Sequence, residues 1–164
     1  AMEILEHNDD FDVFVVASGS GATHAGLLAG LRGSGSKAGV IGSCVRRDAA
    51  FQGPRIERVL ERLGHLYTPA NNVTKKEIRV WDGALAPGYG RIGQRSLEAI
   101  TLMASLEWLF LDPVYTAKSF SAIPSLVETG DIPTGARVCF VHTGGLAALY
   151  AYEDQLGDLL GFQD

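Results

Sequence analysis

The stretch Phe11-Asp12-Val13-Phe14-Val15-Val16-Ala17, running into Ser18-Gly19-Ser20-Gly21 and then Ala22 to Leu31, decides the fold. Apart from Asp12, its first seven residues are apolar at every position. A half-exposed strand alternates polar with apolar, whereas a strand covered on both faces reads as a continuous run. The segment therefore predicts a central strand of a parallel sheet. Ser18 to Gly21 break the run, and the small residues from Ala22 to Leu31 predict a helix able to lie close to that sheet.

Further elements follow in alternation. Ala38-Gly39-Val40-Ile41-Gly42 reads as a second strand. Asp48 to Leu63 reads as a helix, with Ile56, Val59, Leu60 and Leu63 on one face and a stop at Gly64. Glu77 to Trp81 predicts a short strand, Gly83 to Gln94 a loop, and Ser96 to Glu107 a helix. Leu109-Phe110-Leu111 predicts a short buried strand stopping at Asp112-Pro113, and Pro124 to Glu128 a short helix. Arg137 to His142 reads as another strand buried on both faces, ending in Thr143-Gly144-Gly145. The expected class is α/β, a mostly parallel sheet with helices on both faces. Ala1 to Asp10 reads as a lead-in or tag remnant, and residues 11–164 as a single domain.

Composition narrows the function classes. The 164 residues are 46% hydrophobic and 20% charged, the balance of an ordinary globular chain. Fourteen basic residues against 19 acidic ones give a net charge of -5, which argues against a nucleic-acid or anionic membrane surface. Cys44 and Cys139 lack CxxC spacing and sit in apolar runs, so buried free thiols are expected rather than a disulfide or zinc site. No His, Cys, Asp and Glu grouping has metal-ligand spacing. Neither a membrane span nor a signal segment is apparent, and a cytoplasmic location is expected.

Three strand ends carry distinctive chemistry, and ligands of open α/β sheets bind beyond the carboxyl ends of strands. Ser18-Gly19-Ser20-Gly21-Ala22-Thr23 resembles an anion cradle. Its glycines let successive N–H groups turn inward, a helix N-terminus adds its positive dipole end, and Thr23 adds a hydroxyl. The same turn can also be purely structural. No lysine follows it, which excludes a Walker A loop. His24 stands where a dinucleotide fingerprint would need its third glycine, although Arg46 and Arg47 could suit a 2′-phosphate, so an NADP-binding module stays open as an alternative.

The segment Val16 to Gly26, with Gly88-Tyr89-Gly90, Leu111-Asp112-Pro113-Val114-Tyr115-Thr116-Ala117-Lys118 and His142-Thr143-Gly144-Gly145, resembles the D-cysteine desulfhydrase and 1-aminocyclopropane-1-carboxylate deaminase family. The resemblance covers about Phe11 to Tyr152 and corresponds to the C-terminal half of family members. It implies a tryptophan-synthase-β-like fold (fold type II), pyridoxal phosphate (PLP) as cofactor and a small amino acid as substrate. Backbone groups of Ser20, Gly21, Ala22 and Thr23 would hold the cofactor phosphate, Tyr89 and Tyr115 would face the substrate, and Thr143, with Thr116 close by, would lie at the pyridine nitrogen. The ring-opening deaminases carry glutamate at the Thr116 position, so this chain is expected on the desulfhydrase branch, where β-elimination yields pyruvate, ammonia and sulfide. PLP chemistry needs a lysine. Lys37, Lys75, Lys76 and Lys118 match none of the family's lysine context, so the chain is expected to be inactive alone. A homo-oligomer, a partner supplying an N-terminal half, or a non-catalytic remnant that associates with another chain would follow. Elsewhere, His24 reads as a helix-face residue beside the cradle, and His142 as bonded to backbone at its strand end. Arg46, Arg47, Lys75 and Lys76 read as solvated charges, and Lys118 as the partner of a carboxylate.

Overall fold

β1 (Val13–Ser18) runs between two parallel neighbours, β2 (Gly39–Cys44) and β4 (Val138–Phe140). With β3 (Arg79–Trp81) beside β2, they form a four-stranded parallel sheet in the order β3-β2-β1-β4. The structure, a computed structural model, describes residues 1–161. Along β1, side chains alternate between the two sheet faces. Phe14 and Val16 pack with Val40 against Leu27, Leu28 and Leu31 of α2 (Ala22–Gly33). Val13 and Val15 pack with Ile41 against Ala122 and Leu126 of α6 (Ala122–Glu128). Both faces are covered, which is why the run carries no polar alternation.

The remaining helices build outward from these layers. α1 (Met2–His7) sets Ile4 and Leu5 against the first core, so residues 1–10 contribute a packed helix as well as a lead-in. α3 (Ala49–Gly64) starts at Asp48, whose carboxylate accepts the Phe51 N–H at 3.1 Å, and packs Ile56 and Leu60 on Ala25 and Ala29 of α2. α4 (Gln94–Glu107) lays Ala99, Ile100 and Met103 on Leu111 and on Ala117 of α5 (Thr116–Phe120). A 3-10 turn at Leu146–Tyr152 leads into α7 (Glu153–Leu160). Among the described residues no helix is long and apolar enough to cross a membrane. Both cysteines are free; Cys44 is buried and Cys139 half-buried.

Two expected strands come out differently. Leu109-Phe110-Leu111 forms none: Leu109 and Phe110 are 51% and 60% exposed, and Leu111 alone is buried. Trp108 ends α4 in the left-handed region (φ 57°), and the Leu109 N–H returns to the Met103 carbonyl at 3.3 Å. The chain stays tied to the helix end, where no ladder is within reach. Arg137 to His142 is the edge of the sheet rather than a strand buried on both faces, with only Val138–Phe140 paired and all three half-buried. A helix absent from the sequence reading, α5, occupies the space between α4 and β1.

The contact of α2 with the sheet depends on one missing side chain. A Cβ at Gly42 would lie 2.2 Å from His24 Nδ1 and 2.9 Å from Ser18 Cβ. Gly42→Ala is therefore expected to destabilise the chain by about 1–3 kcal/mol through overpacking. Urea denaturation at neutral pH measures this, and a midpoint equal to that of the wild type would contradict the close approach.

Candidate functional site

All four strands run parallel, so the loops that follow β1, β2 and β4 emerge at one edge of the sheet. After β1, Gly21 adopts φ +90° and α2 begins with no side-chain cap. A Cβ at Gly21 would also meet Ile56 Cδ1 at 2.8 Å, so both backbone angle and space require glycine. The carbonyls of this turn are already taken from behind. Arg47 and Gln52 donate to Gly19 O at 3.0 and 3.3 Å, and Arg55 donates to Ser20 O at 2.6 Å. The Ser20 hydroxyl accepts the Ala22 N–H at 3.3 Å. The first helical bond runs from Ala25 N–H to Gly21 O, so the N–H groups of Thr23 and His24 stand ahead of it. With Ala22 and Thr23 exposed, the outward face of the turn offers donors and the positive end of a 12-residue helix. That donor set suits a phosphate dianion.

A polar network lies under the cradle. Gln52 Nε2 donates to Ser18 Oγ at 2.9 Å, and Ser18 Oγ is hydrogen-bonded to His24 Nδ1 at 3.2 Å. All three residues are buried, and His24 Nε2 and Gln52 Oε1 have no hydrogen-bond partner among the described residues. His24 is thus a buried residue on the sheet-facing side of α2, beneath the cradle. Burial holds its imidazole down to about 4, from an ordinary value of 6.5. It is neutral at physiological pH.

Across the same edge, Tyr89 and Tyr115 meet with their hydroxyls 2.5 Å apart and their rings edge to face. Tyr89 is 50% and Tyr115 37% exposed, so the pair is anchored yet open to a ligand. The hydrogen bond to Tyr89 first, then burial, pushes Tyr115 above the ordinary phenol range. Arg46, in the loop after β2, holds its guanidinium 5.8 Å from the Tyr89 ring centre and works in the opposite direction. Its neighbour Arg47 reaches back to the cradle. One dipeptide thus bridges the cradle and the phenols, and Arg47 is half-buried, not a solvated charge.

Beneath the phenols, the buried Asp112 carboxylate accepts the N–H groups of Val114, Tyr115 and Thr116, each at 2.9 Å, and the Thr116 hydroxyl at 2.8 Å. The Thr116 hydroxyl also accepts the Asp112 N–H at 2.7 Å, so both of its roles are spent locally. The loop after β4 lies against this carboxylate: a Cβ on Gly145 would stand 2.6 Å from Asp112 Oδ1. In that loop His142 donates from Nε2 to Phe110 O at 3.0 Å and accepts the Gly144 N–H on Nδ1 at 3.3 Å, which leaves Thr143 exposed at the turn. Sequence reading placed His142 on backbone; it quoted Ser18 and Asp112 within their segments without giving them a role, and did not single out Gln52. An aspartate ahead of a proline and a short helix is a turn-forming signal that could have given Asp112 its role. Lys118 pairs with no carboxylate. Its Nζ donates to the carbonyls of Leu85 and Gly88 at 3.1 and 2.7 Å.

Comparison with known proteins fits this geometry. Residues 1–144 match the family described as pyridoxal-phosphate dependent enzyme. A D-cysteine desulfhydrase of Yersinia pestis (strain Pestoides F) is 38% identical over 149 residues, covering 91% of this chain and 44% of that protein. One from Salmonella paratyphi C is 40% identical over 139 residues, covering 84% and 41%. The crystal structure of an ACC deaminase homologue superposes with a TM-score of 0.78 at 29% identity, over 92% of this chain and 44% of that one. The chain thus spans about 44% of the length of the relatives it matches.

His24 also sets a pH response. A base whose folded value lies below its unfolded one stabilises the fold above the unfolded value and loses that contribution as pH falls. Stability is expected to fall between about pH 6.5 and 4, by at most about 3 kcal/mol. Urea midpoints measured across that range check this. His24→Asn should flatten the slope, and an unaltered slope in that variant would assign the effect to other groups.

Proposed function

The chain belongs to the pyridoxal-phosphate dependent enzyme family, and on that premise we propose that it forms the phosphate-holding and substrate-facing half of a D-cysteine desulfhydrase-like lyase. The reaction is β-elimination: D-cysteine and one water yield pyruvate, ammonia and sulfide. The observation that carries the reading is the donor-lined turn at the start of α2 with the Tyr89–Tyr115 pair, linked by the Arg46-Arg47 dipeptide.

Bound PLP supplies the electron sink that makes an α-proton of an amino acid removable. The chain's own groups hold the cofactor and orient the substrate. Backbone N–H groups at Ser20, Gly21, Ala22 and Thr23, with the Thr23 hydroxyl, hold the phosphate by charge-assisted hydrogen bonds. Thr143 is assigned to the pyridine nitrogen, where a hydroxyl donates a hydrogen bond without sustaining a full positive charge. Thr116 stands one layer behind, its hydroxyl bound to Asp112, and steadies the turn that carries Tyr115. The phenols orient the substrate and can hold or pass a proton at their oxygens. Tyr115, held neutral, is suited to donating a hydrogen bond. A threonine at position 116 where ring-opening relatives carry glutamate supports elimination over ring opening.

No lysine of the chain is free beside the cradle. Lys75 pairs with Glu57 at 2.8 Å, Lys118 is held by two carbonyls, and Lys37 and Lys76 precede β2 and β3 at the opposite end of the sheet. The proposal therefore includes that this chain alone does not turn over substrate. Its exposed apolar strip, Leu102, Leu106, Trp108, Leu109 and Phe110, with Trp108 at 85% exposure, supports association with another chain.

Calorimetric titration of the 164-residue chain with PLP should show reversible binding that inorganic phosphate displaces, and borohydride treatment should leave no covalent label. Gly21→Val should weaken binding at least about tenfold, equivalent to about 1.4 kcal/mol. NADPH binding abolished by Arg46→Ala, with no response to PLP, would replace the reading by a nucleotide-binding one. Light scattering should detect dimers or larger assemblies that Trp108→Ser with Phe110→Ser disperses; a wild-type monomer at high concentration would contradict the association.

A further inference from the structure

Tyr89 stands in a loop from Gly83 to Gly93 that has neither helix nor strand, yet its hydroxyl meets Tyr115 at 2.5 Å. The residues on either side, Gly88 at φ +140° and Gly90 at φ +69°, adopt angles that glycine alone takes readily. No helix or strand ladder holds the segment, so the short contact rests on restraint from outside it. Both carbonyls that flank Tyr89 in sequence receive one. Lys118 Nζ donates to Gly88 O at 2.7 Å, and Tyr152 Oη donates to Gly90 O at 2.6 Å. The two donors come from separate places, Lys118 from α5 and Tyr152 from the end of the 3-10 turn after β4.

We propose that Lys118 and Tyr152 form a two-point clamp that positions Tyr89 against Tyr115. The lysine side chain is fully buried, and burial lowers its pKa. An amine taken out of water must be matched by acceptors, and here these are main-chain carbonyls rather than a carboxylate. Its energetic interest lies in the loop's backbone position. Lys118 also follows Tyr115 by three residues, so one short segment sets both phenols: Asp112 fixes the backbone of Tyr115, and Lys118 fixes that of Tyr89. Lys118 and Tyr152 are positioning residues. The bearing of the clamp on substrate handling rests on the function proposed above; the clamp itself rests on the chain's own contacts.

The ionisation of Tyr115 reports the clamp. The groups that act on it are Tyr89 and Asp112, which raise its pKa, and Arg46, which lowers it. NMR pH titration of ring-labelled tyrosine, with Tyr115→Phe used to assign its resonance, follows Tyr115 apart from the other four tyrosines. Tyr89→Phe should lower the Tyr115 midpoint and so defines the fully released state. Tyr152→Phe, which keeps the ring and removes the donor, should move the midpoint most of the way to that value while leaving the thermal midpoint in place. Lys118→Met should do the same; should it fail to fold, Tyr152→Phe carries the test. In a Tyr89→Phe background, Tyr152→Phe should add nothing. A Tyr115 midpoint in Tyr152→Phe equal to that of the wild type overturns the clamp, as does an equal shift in both backgrounds. No PLP is present in this measurement, so a failure of cofactor binding would leave its result unaffected.

Discussion

A buried carboxylate without a cationic partner is the constraint on which the site depends. Asp112 is fully buried and takes four hydrogen bonds from Val114, Tyr115 and Thr116. Removing such a group from water costs several kcal/mol unless its oxygens are matched, and here matching them forces the chain into the turn that opens α5. Tyr115 is then placed by its own backbone. Because Gly145 lies against the same carboxylate, the loop carrying Thr143 is referred to the same point. Two of the three segments that build the site therefore share one electrostatic anchor.

The third segment is tied in differently. The cradle at the start of α2 keeps its N–H groups outward because Arg47, Gln52 and Arg55 occupy its carbonyls. Beneath it, Gln52, Ser18 and His24 form a buried polar chain whose space exists because residue 42 is glycine. An orphaned His24 Nε2 in that position is a cost to the fold, and it couples the cradle's foundation to pH. Packing and chemistry meet at one helix turn.

The reading of the sequence succeeded where local physics is sufficient. The two-faced burial of β1, the glycine turn and the amphipathic α3 each carry their signal within a few residues. It failed at Leu109-Phe110, whose strand-like apolarity belongs to a surface beside α4, and at Arg137 to His142, which pairs on one side only. An apolar run states that burial is favourable but not whether a neighbour exists to provide it. Lys118 reads as the partner of a carboxylate, because nothing near it in sequence reveals the carbonyls of Leu85 and Gly88, some 30 residues away.

By itself, the sequence determined the α/β class, the location of the glycine turn ahead of α2 and the identity of the residues that resemble a PLP family, since turn chemistry and motif order are properties of neighbours along the chain. Tertiary structure alone decided that Tyr89 touches Tyr115, that Arg46 and Arg47 bridge cradle and phenols, and that Thr116 is committed to Asp112. Those facts depend on which distant groups are brought within about 3 Å, the reach of a hydrogen bond, and that is settled only when the layers close.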